Sequence, residues 1–274
     1  MTRKLLVFAV LALAVIASQC SKETDENAIR DLIEADSVYF NTGTEGDSAS
    51  GDYSLNRDTT IAWWRGPQTH SQPTIEINIV EDSAWVSWSR DNYGYLRVLK
   101  TDSIPWLDWS KILSETAELR ATFLRTGTVD DEYRGWELHS ISLAYGVSNP
   151  SSTVRIDSVH INSSAHPDLW IIDPLNTYFD IDNLITFQPG EPVEITLYTN
   201  VTDGHAFLHT FLGILPVRLP FIYEGEGIYA GTWNAQLVAI PRFAIFDLMP
   251  HSTLYTSDGV YDFNGWLLPY MIAQ

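Results

Sequence analysis

Cysteine is almost absent from this chain: one residue, Cys20, in 274. No internal disulfide is possible, so any core must hold by burial alone. Basic residues are also scarce, at 16 Lys plus Arg against 35 Asp plus Glu, for a formal charge of −19. Nucleic-acid binding depends on cationic side chains at the phosphates, so a chain this acidic argues against that class, and equally against electrostatic attachment to anionic lipid. Long apolar runs are missing too. The one uninterrupted run, Leu5 to Ala17, falls short of the about 20 residues that a membrane-spanning helix needs. Internal repeats and low-complexity tails are not found. What is plentiful is apolar and aromatic: 45% and 12% of residues, far too rich for a disordered chain. The length suffices for one large domain or two ordinary ones.

Arg3 and Lys4 stand before the apolar run, which has the length of a secretory h-region, so residues 1–19 read as a signal peptide. Cys20 follows directly, in Ile16-Ala17-Ser18-Gln19-Cys20. A lone cysteine in this position resembles the lipobox of bacterial lipoproteins, where the thiol receives diacylglycerol and becomes the mature N-terminus. Ser18 is typical of that motif, whereas Ala17 and Gln19 stand where Leu and a small residue are usual. The resemblance implies lipidation of Cys20, a lipidated tether over 20–27, and a place in the bacterial cell envelope with the membrane as partner through the lipid. Ser21 replaces the Asp that resembles an inner-membrane retention signal, which points to the outer membrane. The alternative is cleavage after Val15-Ile16-Ala17 by ordinary signal peptidase, giving a soluble periplasmic or secreted protein.

Beyond the tether, Thr24 is an N-cap candidate with Asp25 and Glu26 in the first turn, where the helix dipole favours negative charge. Ala28, Ile29, Leu32, Ile33, Ala35, Val38 and Tyr39 then recur at helical spacing. Residues 41–57 are rich in Gly, Ser, Thr and Asp and read as a loop. From about residue 60 the period becomes two. Ile75, Ile77 and Ile79 alternate with polar residues, Glu81-Asp82 turns into a strand over 84–90, and another covers 93–100. Lys111 to Glu118 allows a helix, and strands return at 119–125 and 136–145. The opening Ala28-Ile29-Arg30-Asp31-Leu32-Ile33 and the closing Arg134-Gly135-Trp136-Glu137-Leu138 resemble NTF2-like proteins. That resemblance implies an α+β N-terminal domain over 28–147, one helix on a curved antiparallel sheet.

Ser148-Asn149-Pro150-Ser151-Ser152 has linker chemistry. Residues 153–274 show short strands punctuated by Pro and Gly, at 154–161, 184–187, 193–200, 206–212, 227–234 and 266–272. Regular short strands without helices indicate an all-β sandwich domain, similar in architecture to immunoglobulin-like modules.

No complete catalytic set is legible. Gly46-Asp47-Ser48 with Asp157-Ser158-Val159-His160 resembles the blocks of GDSL-type esterases, but it lacks the strand-to-helix elbow that exposes such a serine. His205 and His209 share one face of a strand and form a candidate metal pair, short of the ligands that close a zinc site. The carboxylates of 168–173 and 180–182 lack the EF-hand glycine and terminal Glu. The NTF2-like resemblance implies an interior pocket. Tyr39, Trp63, Trp64, His70 and Trp88 are its candidate lining, with Asp36 and His139 as candidate acid and base. Tryptophans serve core packing at least as readily. The expectation is a non-catalytic envelope lipoprotein, without cofactor, that binds a protein or glycan partner. Tyr223, Tyr229, Trp233, Tyr255, Tyr261 and Trp266 form either its recognition surface or its core. The alternative is a small-molecule binder or lyase/isomerase-like enzyme using the N-terminal pocket.

Overall fold

The computed structural model describes residues 24–40, 61–102, 104–212, 215–235 and 242–273. Cys20, the signal segment and Gly46-Asp47-Ser48 lie outside the described residues. Strand makes up 59% of the described residues, which overturns the expected α+β, NTF2-like N-terminal domain. Helix is confined, among the described residues, to α1 (residues 24–35), α2 (Ser37–Phe40), α3 (His251–Tyr255) and short 3-10 turns.

The physical reason for the difference lies in how the N-terminal sheet ends. Strands β1 (Ile61–Arg65), β2 (Thr69–His70) and β3 (Thr74–Val80) all pair with the long β4 (Ser83–Lys100). β4 pairs along its whole length with β5 (Leu107–Arg125), from Ser83↔Leu124 to Lys100↔Leu107. The far edge of β5 takes β6 (Trp136–Ser142) and β7 (Ala144–Ser148). A cone closed over one helix would stop there. Instead β7 offers its second edge to a distant strand, β18 (Asn264–Ile272), with Tyr145 opposite Trp266. The ladder then runs on through β17 (Arg242–Pro250), β13 (Gly204–Leu212) and β14 (Leu215–Pro220), making one sheet of 13 strands. The helix expected near 111–118 is part of β5, where Lys111, Leu113, Glu115 and Ala117 face inward at period two.

A second sheet has five strands: β8 (Ile156–Asn162), β9 (Leu169–Ile171), β12 (Pro192–Thr199), β15 (Ile222–Gly225) and β16 (Ile228–Asn234), in the order β15-β16-β12-β8-β9. The two remaining strands join the large sheet, β10 (Tyr178–Asp180) beside β6 and β11 (Ile185–Phe187) parallel to β18.

Three cores result. In the first, Val159, Ile195 and Leu197 of the smaller sheet meet Leu208, Phe246 and Leu268 of the larger one. This face-to-face packing is compatible with a β-sandwich. In the second, Ile29 and Ile33 of α1 and Phe40 of α2 fill the space over Val86, Leu119 and Phe123. Asp25 pins the start of α1 by ion pairs to Arg125 Nη2 at 2.5 Å and Arg134 Nε at 2.7 Å. Burial opposes its charge, but hydrogen bonds from Arg134 and Arg125 hold its carboxyl below the ordinary value. The third core joins β1, β4 and β5 to β13, β17 and α3 through Trp63, Leu96, Leu113, Phe207, Met249 and Leu254.

Candidate functional site

Charged residues at inward positions of four strands meet within the third core. Arg65 Nη1 donates to Asp247 Oδ2 at 2.7 Å, both side chains fully buried. Arg65 Nε also donates to Tyr261 Oη at 3.1 Å, and that hydroxyl donates to Glu115 Oε2 at 3.2 Å. His209 Nε2 lies 2.9 Å from the same Asp247 oxygen. The guanidinium sits 4.7 Å over the ring of Phe263, which favours a cation. Burial opposes the charge of Asp247, but the charge of Arg65 and the hydrogen bond from His209 hold its carboxyl below the ordinary value. Nearby, the amine of Lys111 donates to the Ser252 carbonyl at 2.6 Å, and burial brings it down to about 8 against the pull of Asp258. Arg65 and Asp247 are sealed from solvent, so this network clamps strands together and presents nothing to a substrate.

The outer face of the five-stranded sheet is different, because there polar and aromatic groups meet water. Strand alternation points Val159 and Ile161 of β8 inward and Ser158, His160 and Asn162 outward. In β12 the same alternation turns Glu194, Thr196 and Tyr198 outward. Trp170, on the edge strand β9, stands opposite His160. Its indole stacks on His160, with centroids 4.4 Å apart and planes 21° apart, and reaches Tyr198 at 5.4 Å and 30°. Asp168 fixes the arrangement. Its backbone is left-handed (φ 61°), and its Oδ1 accepts from Trp170 Nε1 at 2.8 Å and lies 3.1 Å from His160 Nε2. Even so, Trp170 remains 44% exposed. Asn162 Nδ2 donates to Glu194 Oε2 at 2.9 Å beside this pad, and Thr196 lies opposite His160. An indole held by rings and framed by carboxylate, amide and hydroxyl groups suits a ligand with an apolar face and hydroxyl edges.

The residues singled out for an N-terminal pocket do not converge on one cavity. Trp88 is buried in the second core and Trp63 in the third. Trp64 is half-buried on the opposite face of β1 from Trp63. Tyr39 packs at the margin of the second core, and Asp36 lies half-buried at the α1–α2 junction, where burial raises its carboxyl. His70 is exposed and pairs with Asn92 at 2.7 Å, and His139 is exposed on β6. His205 and His209 do share a face of β13. Four residues of strand separate them by about 13 Å, Phe207 stands between, and they have different partners: His251 for His205 and Asp247 for His209. Among the described residues no group of three or more His, Cys, Asp or Glu is placed to hold a metal ion. The acidic loops cap their own backbone: Asp173 Oδ1 accepts from Asn176 N at 3.2 Å, and Asp180 Oδ1 from Asp182 N at 2.9 Å. Of the C-terminal aromatics, Tyr229, Trp233, Tyr261 and Trp266 are core, while Tyr223 is exposed.

Trp170, His160 and Tyr198 were not distinguished in the sequence as a group. The available signal was local: Tyr198 falls on the outward register of β12, where a large ring has no core to fill. Comparison with protein-family models, curated proteins and solved structures finds no match to this chain.

Proposed function

We propose that the chain is a binding protein of the bacterial cell envelope, held by a lipid on Cys20, that grips a neutral glycan on the outer face of its five-stranded sheet. The observation that carries this is the Trp170 indole, stacked on His160 and tilted against Tyr198 yet 44% exposed. Burying that face is favourable, and the CH-bearing face of a sugar ring is flat enough to cover it. Carboxylates at Asp168 and Glu194 accept hydrogen bonds from hydroxyls. The charge of −19 disfavours anionic polysaccharide and leaves neutral chains as the fitting class. Envelope placement rests on the apolar run at 5–17 and the cysteine behind it.

Electrophoresis through gels containing glucomannan, xyloglucan or dextran tests the glycan assignment, with polygalacturonate as the anionic comparison. The parent protein is retarded by at least one neutral polymer, and Trp170→Ala abolishes the retardation. Trp170 lies outside the cores, so its loss leaves folding intact. Equal retardation of Trp170→Ala, or none for the parent in any neutral gel, removes the proposal. Labelling of cells with a palmitate analogue, comparing Cys20→Ser with the parent, tests the anchor separately.

A further inference from the structure

A cleft of about 270 Å³ opens between β1, β13, α3 and the β15 region, on the third core and away from the Trp170 pad. Its walls are Trp63, Phe207, Tyr223, Tyr229, Leu254 and Tyr255, with Ile222 at the surface, 71% exposed. An apolar cavity of about 150 Å³ holds benzene, so this space fits roughly two fused rings. Charge narrows the ligand further. The Arg218 guanidinium already lies 3.3 Å from the centroid of Trp63, so a second cation there would be repelled. Arg218 is itself committed, donating through both terminal nitrogens to the Trp63 carbonyl, and the surrounding field is acidic, so an anion gains no partner.

Besides the tyrosine hydroxyls, an imidazole interrupts the apolar wall. His205 lies 3.2 Å through Nε2 from His251 Nδ1, and its ring is tilted against those of His251 and Tyr255. Among the described residues its Nδ1 has no hydrogen-bonding partner. Nδ1 donates or accepts according to which imidazole gives its proton in the His205–His251 pair. A hydroxyl satisfies either state. Burial and the neighbouring His251 also bring His205 down to about 4, so the ring is neutral at physiological pH.

We propose that this cleft binds a neutral, flat, apolar molecule of about two fused rings that bears one hydroxyl, with His205 Nδ1 meeting the hydroxyl. The site is separate from the glycan pad and does not depend on it.

Fluorescence titration with 2-naphthol, alongside naphthalene and the anionic 2-naphthoate, tests the assignment on the folded chain. 2-Naphthol binds saturably at one site, and 2-naphthoate binds at least about tenfold more weakly. Ile222→Glu keeps the fold, because the residue is exposed, and weakens 2-naphthol about tenfold or more by placing charge at the mouth. His205→Phe keeps the ring and costs 2-naphthol about fivefold, one hydrogen bond, while naphthalene changes less than about twofold. Trp170→Ala leaves all three titrations unchanged. Equal binding of 2-naphthol and 2-naphthoate overturns the proposal, as does unchanged binding in Ile222→Glu or the absence of saturation by 2-naphthol.

Discussion

Replacing Asp247 with Ala removes the counter-charge of a guanidinium that has no route to water. Arg65 would keep its contacts with Phe263 and Tyr261 but lose the 2.7 Å hydrogen bond that neutralises it. Breaking one side of a buried pair costs about 3–5 kcal/mol, because the surviving charge is stranded. Glu115 lies one hydroxyl further on, through Tyr261, and offsets part of the loss, which places the expectation near about 3 kcal/mol. For a chain of this size, about 1 kcal/mol moves Tm by roughly 2–4 °C, so a fall of about 6–12 °C follows. Urea unfolding followed by tryptophan fluorescence measures the loss directly, with the midpoint reduced and the slope m unchanged. Arg65→Met combined with Asp247→Leu gives the decisive comparison. An apolar pair leaves no stranded charge, so the double variant loses less than the two single changes added together. Asp247→Ala within about 1 kcal/mol of the parent, or strictly additive single losses, would refute the idea that this pair is electrostatically coupled. The pH dependence has a definite sign. The folded carboxyl lies below its ordinary value, so its stabilisation is fully present above that value and is lost as pH falls through the depressed folded value.

Other consequences follow from single groups. His205 is neutral in the folded protein down to about pH 4, whereas an unfolded histidine takes up its proton near 6.5. Stability therefore falls as pH drops from about 6.5 to about 4, by up to about 3 kcal/mol, and His205→Phe flattens that limb of a stability-versus-pH curve. Gly227 has φ 79°, and a Cβ there would sit 2.3 Å from the Thr199 carbonyl oxygen. Gly227→Ala accordingly costs about 2 kcal/mol or more in urea unfolding, and an unchanged midpoint would show that the β15–β16 turn relaxes freely.

Local pattern was legible where burial follows periodicity. The apolar stripe from Ala28 to Tyr39 falls on α1 and α2 with Ile29 and Ile33 buried, and alternation near 193–200 falls on β12. Legibility failed where charged residues occupy core positions. Lys111 and Glu115 break the apolar alternation of β5 and disguise a strand as a possible helix, although both are buried. Arg65 and Asp247 look like surface residues for the same reason, and their pairing joins segments 182 residues apart, which no local window contains. The N-terminal assignment failed at β7, whose second edge belongs to β18 rather than to solvent. Trp63 and His205 were recognised individually, but their common cleft arises from tertiary packing of β1 against β13. His160, Trp170 and Tyr198 come together only once β9, β8 and β12 are in register.

The network around Arg65 also sets an order of events. Its members come from β1, β5, β13, β17 and the segment before β18, and the longest hydrogen bond, from Arg65 to Tyr261, spans 196 positions. Contacts so distant along the chain form slowly, since a large loop must close before any of them is rewarded. The buried polar network has no local precursor. Strands β4 and β5 can zip as a hairpin early and take up β1, but the Arg65 guanidinium stays without Asp247 and Tyr261 until nearly the whole chain is available. The network therefore cannot be complete until the segment carrying Tyr261 and Phe263 is in place.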